Sequence, residues 1–126
     1  AASRQSADLY ELGSVQLRKR LYPQAAATLK QALKRLSDAP NEARALIENA
    51  LGFALAAQKD YDTAIKHYKL ALRAKEDYPV AINNLAFAQE KLLKYDEAIA
   101  LYKKTLELES NNSTAKKGIK KLEKRS

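Results

Sequence analysis

The side chains that could catalyse a reaction are few in this sequence of 126 residues, and they do not converge. His67 is the single histidine and cysteine is absent, and one histidine makes neither a catalytic triad nor a metal cluster. Carboxylates stand mainly beside lysines at helical spacing, as Glu107 does with Lys103 and Lys104, which is typical of a solvated helix face. The three glycines are isolated from one another, so no phosphate-binding loop is present. We predict a protein that is not an enzyme and takes no cofactor or metal, with His67 an ordinary surface or packing residue.

A second polar feature is the adjacent pair Asn83 and Asn84, which opens the segment NNLAFAQEKLLKYDEAIALY (83–102). Asparagine is a mediocre helix former because its amide competes for nearby backbone groups, so the pair lowers the intrinsic stability of a helix. We therefore expect these two side chains to have a role beyond helix formation, and that role depends on the elements that position them.

Composition favours long helices and excludes several classes of protein. There are only three glycines and three prolines, and the lack of cysteine excludes disulfides and thiolate chemistry. No apolar run approaches the ~20 residues of a membrane span, and the start AASRQSADLY lacks the apolar stretch of a signal peptide; the chain as given is expected to be soluble. The net charge of +8 is divided into +4 over 1–40, −1 over 41–102 and +5 over 103–126. Charge of this sign attracts acidic partners without choosing among protein, RNA and an anionic membrane.

A period of 34 residues organises the chain. The segment YDTAIKHYKLAL (61–72) aligns with YDEAIALYKKTL (95–106), and a more divergent third copy lies in LYELGSVQLRKRLYPQAAATLKQAL (9–33). In each copy a small residue on a first helix faces an alanine on a second, which allows two antiparallel helices to approach closely. Tyr68 and Tyr102 are expected to complete the seams between the paired helices. The facing pairs are Gly13 with Ala25, Gly52 with Ala64, and Ala86 with Ala98.

This pattern resembles the tetratricopeptide repeat (TPR) family over residues 6–112. The likeness implies an all-α, right-handed superhelix of three helix-turn-helix repeats, at about 6–39, 45–78 and 79–112, with a C-terminal capping helix over 113–126. The interval from Ala25 to Ala64 is 39 residues, which predicts a longer loop or longer flanking helices around SDAPNEARA (37–45). Ala115, Ile119 and Leu122 are expected to cover the apolar edge of the third repeat, because a stack of repeats must end in a helix with one solvated face.

In TPR proteins the first helices of successive repeats line a concave groove, and the resemblance implies a partner-binding site there. Groove asparagines bond the main chain of an extended segment irrespective of its sequence; the alternative for Asn83 is that it caps or bridges to a neighbouring helix. The phenylalanines would supply apolar contact, with core packing as the alternative, and the cations would receive acidic groups. The predicted partner-binding residues are Tyr10, Ser14, Arg18, Asn49, Phe53, Asn83, Asn84, Phe87, Lys91, Lys117 and Lys121.

One TPR subfamily can be tested directly against these positions. Its members, co-factors of chaperones, hold the C-terminal carboxylate of Hsp70 and Hsp90 with two lysines, two asparagines and an arginine. The matching places here supply no positive charge, so we do not expect a carboxylate clamp of that kind. Those places hold Tyr10, Ser14, Ala50, Val80 and Asn84.

Three stretches resemble the cyanobacterial and plastid TPR proteins that assist photosystem I assembly: LYELGSVQLRKRLYPQA, NALGFALAAQKDYDTAI and NNLAFAQEKLLKYDEAI. The resemblance implies a scaffold that holds an acidic segment of a photosystem I subunit or assembly factor at the thylakoid membrane, in the chloroplast stroma or the cyanobacterial cytoplasm. It also implies a membrane anchor ahead of the repeats. The sequence contains none, so we expect membrane contact only through a region absent from this chain.

Two other functions stay open at this point: a basic helical-repeat module that binds RNA, and a homo-oligomerising structural module. Against RNA, the positive charge is divided between the two ends, and the groove offers phenylalanines without a ladder of arginines. Nucleic acid is therefore not the expected partner. Light scattering at several concentrations would separate an oligomer from a monomeric binder.

Overall fold

The computed structural model describes residues 2–37 and 41–125, and within these ranges it contains seven α-helices and no strand. The all-α class predicted from the repeat is therefore confirmed. Residues 38–40, in the predicted long loop, and residue 126, at the end of the predicted cap, lie outside the described residues. The helices are α1 (Ala2–Arg18), α2 (Tyr22–Lys34), α3 (Glu42–Ala57), α4 (Tyr61–Ala74), α5 (Pro79–Lys91), α6 (Tyr95–Leu108) and α7 (Ser113–Glu123).

Side-chain caps or prolines set the starts of five helices. Asn41, Asp60 and Asn112 each accept a hydrogen bond from the backbone N–H three residues later, and these bonds open α3, α4 and α7. A proline, Pro23 or Pro79, stands in the first turn of α2 and α5, where its fixed φ suits the helix and its missing N–H costs nothing. Short-range signals in the sequence therefore determine where most of the helices begin.

Helices pack chiefly against the helices next to them in the chain, from α1 with α2 through to α6 with α7. The close approach predicted for Gly52 and Ala64 is confirmed, whereas the nearest neighbour of Gly13 is Leu29, one turn after the predicted Ala25. A Cβ atom added at Gly13 would lie 2.7 Å from Leu29 Cδ2, and one added at Gly52 would lie 2.7 Å from the Tyr68 ring and 3.2 Å from the carbonyl oxygen of Ala64. A larger residue at either position would require the neighbouring side chain, Leu29 or Tyr68, to move.

The extra residues between the first two hairpins are shared by a connection and a helix. Residues 35–41 lie between α2 and α3, whereas residues 75–78 alone join α4 to α5. Helix α3 also has 16 residues against 13 in α5, and it begins at Glu42, ahead of the predicted repeat start at residue 45. Both expected sources of the longer interval therefore contribute.

Helix α7 packs on α6 through one narrow face. Ala115 and Leu122 are fully buried, while Ile119 is only half-buried. Gly118, which stands alone in the sequence, lies against Tyr102 so closely that an added Cβ would fall 2.5 Å from the ring. The capping helix therefore meets α6 through a small residue, as the first helices of the hairpins meet their partners. None of the described helices is both long enough and apolar enough to cross a membrane.

The turns inside the three hairpins share a left-handed residue, with φ of 61° at Arg20, 67° at Lys59 and 64° at Leu93. In the third turn the N–H of Lys94 donates to the carbonyl of Gln89 at 2.9 Å, the bond that closes a helix before a left-handed residue. A side chain in this backbone region costs about 1–2 kcal/mol unless the residue is glycine. The leucine also leaves an apolar side chain 71% exposed.

We expect Leu93→Gly to raise the free energy of unfolding by about 0.5–1 kcal/mol, because relief of the left-handed strain exceeds the backbone entropy that glycine loses on folding. Urea denaturation measures the change. The control is Lys103→Gly at an exposed position inside α6, which should lower stability by about 1 kcal/mol. A less stable Leu93→Gly protein would show that the exposed leucine makes a stabilising contact.

Candidate functional site

The candidate groove is the surface formed by the exposed residues of α1, α3 and α5, with α7 at its C-terminal end. Helices α1, α3 and α5 pack closely against α2 and α4, which lie between them in the chain. In addition, α1 contacts α3 and α3 contacts α5 directly. Side chains from neighbouring first helices therefore lie side by side along one face of the stack.

At the centre of the groove three polar side chains form a chain of hydrogen bonds. Asn84 Nδ2 donates to Asn49 Oδ1 at 3.0 Å, and Asn49 Nδ2 donates to Tyr78 Oη at 3.4 Å. Burial raises the pKa of Tyr78, with a further rise from Tyr10 and an opposing effect from the Asn49 bond. Asn49 uses its oxygen and its amino group within the protein, whereas Asn84 Oδ1 accepts no hydrogen bond from the described residues. Of the two, Asn84 is better placed to bond a bound main chain.

Asn83 has a different place from the one predicted for a groove residue. Its side chain is 9% exposed, and its Nδ2 donates to Asn112 Oδ1 at 3.0 Å. The same oxygen of Asn112 accepts the N–H of Ala115, which caps α7. Asn83 thus bridges to the neighbouring helix, the alternative considered for it from the sequence. The two adjacent asparagines differ because successive residues on an α-helix point about 100° apart.

Phe53 and Phe87 project from equivalent positions of α3 and α5, and each is 44% exposed. Tyr22 meets the Phe53 ring edge-on at a centroid distance of 6.4 Å. Lys91 Nζ lies 5.1 Å from the centroid of the Phe87 ring, within the range of a cation–π interaction. Core packing therefore does not account for the two phenylalanines, which leave large apolar surfaces on the groove.

Both phenylalanines line a cavity of about 200 Å³, and Tyr68 contributes to the same lining. The tyrosine is 2% exposed, and its hydroxyl makes no hydrogen bond with the described residues. Burial raises the pKa of this phenol far above its ordinary value, so it stays a neutral donor. Sequence reasoning missed Tyr68 as a groove residue because its period assigned it to the helix seam. The cavity is lined by Phe53, Ala56, Ala57, Tyr68, Asn84 and Phe87.

The N-terminal end of the groove holds the three residues predicted on α1. Ser14 Oγ donates to the carbonyl of Tyr10 one turn earlier at 2.9 Å, so its hydroxyl proton is used within the helix. Tyr10 is half-buried against the core, and Arg18 is exposed. All three line a depression of about 420 Å³. Arg18 is the member of this group with an exposed charge.

The two lysines predicted at the other end have different surroundings. Lys121 Nζ lies 2.6 Å from Glu90 Oε2, and that carboxylate is only 8% exposed. Tyr102 Oη donates to Glu90 Oε1 at 3.5 Å, and burial, followed by Glu90, raises the pKa of Tyr102 to about 12. Lys121 is therefore paired with a buried carboxylate, while its own side chain remains 55% exposed. Lys117 is exposed.

Outside the groove, His67 Nδ1 and Glu48 Oε1 lie 2.7 Å apart and join α3 to α4. Glu48 is 4% exposed, so the histidine supplies the hydrogen bond that a buried carboxylate requires. The sequence offered no signal for this pairing, because the two residues belong to different helices. Nowhere in residues 2–37 and 41–125 do three or more histidines or carboxylates form a group that could hold a metal ion.

Comparisons with known proteins agree with this architecture. Sequence models of the tetratricopeptide repeat match residues 10–79 and 79–112. The tetratricopeptide repeat domain-containing protein PYG7, chloroplastic, of Arabidopsis thaliana is 32% identical over 109 residues, which cover 86% of this chain and 36% of the relative. The uncharacterized protein ycf37 of Cyanophora paradoxa is 34% identical over 116 residues, which cover 92% of this chain and 67% of the relative. The chain thus spans little more than a third of the Arabidopsis relative.

Solved structures show the same fold at lower identity. The Arabidopsis OM64 TPR domain has a TM-score of 0.92 at 23% identity, with full coverage of both chains. The first TPR of Spaghetti (RPAP3), bound to the HSP90 peptide SRMEEVD, has a TM-score of 0.90 at 24% identity and covers 98% of this chain and 94% of its own. The predicted right-handed TPR superhelix is therefore confirmed as the fold.

Proposed function

Because this chain belongs to the tetratricopeptide repeat family, we propose that it is a non-catalytic scaffold that binds an extended segment of a partner protein in the groove. The arrangement of Asn84 carries the proposal. Its carbonyl oxygen accepts no hydrogen bond from the described residues, and the residue lines the same cavity as two phenylalanines that are each 44% exposed. Amide and aromatic groups side by side suit a main chain together with its apolar side chains.

The charges around the groove favour a segment of acidic character. Arg18, Lys91 and Lys117 are exposed along the groove, from its α1 end to its α7 end. Glu11 is an exposed carboxylate at the α1 end, so it offsets the charge of Arg18 more than the charges of Lys91 and Lys117. The positive charge is therefore stronger at the α5 and α7 end of the groove. Exposed charges of this kind speed association and choose among partners more than they add affinity.

The likeness to proteins of plastids and cyanobacteria supports a proposal for the client class. We assign this chain to photosystem I assembly at the thylakoid membrane, in the chloroplast stroma or the cyanobacterial cytoplasm, with a photosystem I subunit or assembly factor as the client. Support comes from the repeat stretches quoted above, from a relative named as chloroplastic and from the ycf37 relative of Cyanophora paradoxa. Affinity purification of the tagged native protein, followed by mass spectrometry, tests the assignment. Recovery of partners unrelated to photosystems would contradict it.

We expect Asn84→Ala to weaken binding of a client segment by about 1–2 kcal/mol, because the bound main chain loses a hydrogen-bond partner in a desolvated place. Titration calorimetry against the recovered client segment measures the loss, and circular dichroism checks that the helices persist. The matched control is Asn111→Ala, since Asn111 is exposed in the turn before α7 and should not affect binding. Wild-type affinity in Asn84→Ala would contradict the groove as the binding site.

A further inference from the structure

We propose that the cavity between Phe53 and Phe87 is an anchor site for one aliphatic side chain of the bound segment, with the Tyr68 hydroxyl as the donor to an adjacent main-chain carbonyl. This inference rests on the proposed function and specifies which residue of the client the groove recognises. The site includes Tyr68, which the repeat pattern of the sequence predicted to be a packing residue between the paired helices.

Comparison of two equivalent places in the repeat carries the inference. Tyr102 occupies the position 34 residues after Tyr68, and its hydroxyl meets Glu90, which in turn pairs with Lys121. The same offset places Ala56 where Glu90 stands and Phe87 where Lys121 stands. The polar cluster that occupies one interhelical slot is thus absent from the other. The remaining space is a cavity with apolar walls and a Tyr68 hydroxyl that pairs with no residue in the described part of the chain.

The lining of the cavity defines what it can bind. Phe53, Ala56, Ala57 and Phe87 supply apolar contact without a charged group, so a charged side chain would lose its hydration and gain no counter-charge there. A volume of about 200 Å³ is below the 300–1,000 Å³ typical of pockets for whole small molecules, and it fits one side chain of medium size. An aliphatic residue meets both conditions.

The polar atoms of the cavity complement a peptide main chain. The Tyr68 hydroxyl donates, and the Asn84 carbonyl oxygen accepts. An extended segment presents a carbonyl and an N–H on either side of each side chain, so one residue can fill the cavity and satisfy both groups. Lys91 Nζ lies 5.1 Å from the centroid of the Phe87 ring, which places a positive charge next to the anchor. The segment that the groove recognises should therefore contain an aliphatic residue with an acidic residue next to it.

Selection from a library of random peptides displayed on phage tests the site without knowledge of the natural client. The wild-type protein is expected to enrich peptides that share one Leu, Ile or Val position with Asp or Glu nearby. The Ala56→Glu substitution introduces a carboxylate at the position equivalent to Glu90 in the third repeat. The variant should therefore no longer bind these peptides. Ala100→Glu adds the same charge at an exposed position of α6 and should retain them.

The affinity of a selected peptide then tests the hydroxyl. Tyr68→Phe keeps the buried ring, and we expect about threefold to tenfold weaker binding, the usual effect of one neutral hydrogen bond. Tyr102→Phe is the matched control, because its hydroxyl already faces Glu90; it should bind as the wild type does. Circular dichroism of each variant confirms that the helices persist.

The possible results separate this inference from the function on which it rests. Failure of the wild type to enrich any peptide would contradict the proposed function and the anchor with it. Enrichment of peptides without a shared aliphatic position, or their retention by Ala56→Glu, would contradict the anchor alone. Wild-type affinity in Tyr68→Phe would show that the hydroxyl makes no hydrogen bond to the bound peptide.

Discussion

Ending the chain at Asn112 is expected to lower the free energy of unfolding by about 4 kcal/mol and to promote aggregation. The deletion removes Leu122, which is fully buried, and exposes the Tyr102 face that α7 covers. It also takes Lys121 from the carboxylate of Glu90, which is 8% exposed. Burial of one large aliphatic side chain contributes about 1.5–3 kcal/mol, and a buried carboxylate that loses its partner adds a penalty of similar size.

Urea denaturation and light scattering measure the effects of this deletion. A protein that ends at Glu123 is the control, since it loses basic residues but keeps all of α7. It should unfold like the wild type. Because the protein that ends at Asn112 still contains that asparagine, the hydrogen bond from Asn83 can form in both truncated proteins. Equal stability of the two truncated proteins would show that α7 does not contribute to the stack.

Replacing His67 by alanine is expected to lower the free energy of unfolding by about 2–3 kcal/mol. The change leaves the carboxylate of Glu48, 4% exposed, without the group that lies 2.7 Å from its oxygen. Breaking a buried pair costs about 3–5 kcal/mol, and the value here is reduced because His67 keeps 20% of its side chain exposed.

A double-mutant cycle with Glu48→Ala checks this assignment. Once the carboxylate is absent, loss of the histidine leaves no uncompensated buried charge, so the two changes together should cost less than their sum by about 1 kcal/mol or more. Thermal and urea unfolding of the four proteins provide the energies. Additive effects would show that the two residues contribute to stability separately.

The fold was predictable from the sequence because local signals and the long-range pattern agree. Proline in the first turn, asparagine and aspartate caps, and small residues at the 34-residue period each indicate the same helix pairs. Gly52 is the clearest case: its spacing predicted a close approach, and the Tyr68 ring fills the space that a side chain would need.

The site was harder to predict because the period identifies equivalent positions but not their contacts. It could not separate Asn84, in the groove, from Asn83, which faces α7. It also made Lys117 and Lys121 alike, since the carboxylate that holds Lys121 lies on another helix. Tyr68 differs from Tyr102 because no described residue pairs with its hydroxyl, whereas Glu90 pairs with that of Tyr102. The identity of the tyrosine itself does not indicate this difference.

The packing of each helix on its neighbours in the chain has a consequence for synthesis. Contacts between segments close in sequence require little loop closure, so they form early and fast. Each hairpin can therefore dock on the one before it as it leaves the ribosome, at a translation rate of about 5–20 residues per second. Since α7 is made after the three hairpins, the surface around Tyr102 stays exposed until α7 has left the ribosome, and the nascent chain is open to aggregation there in the meantime.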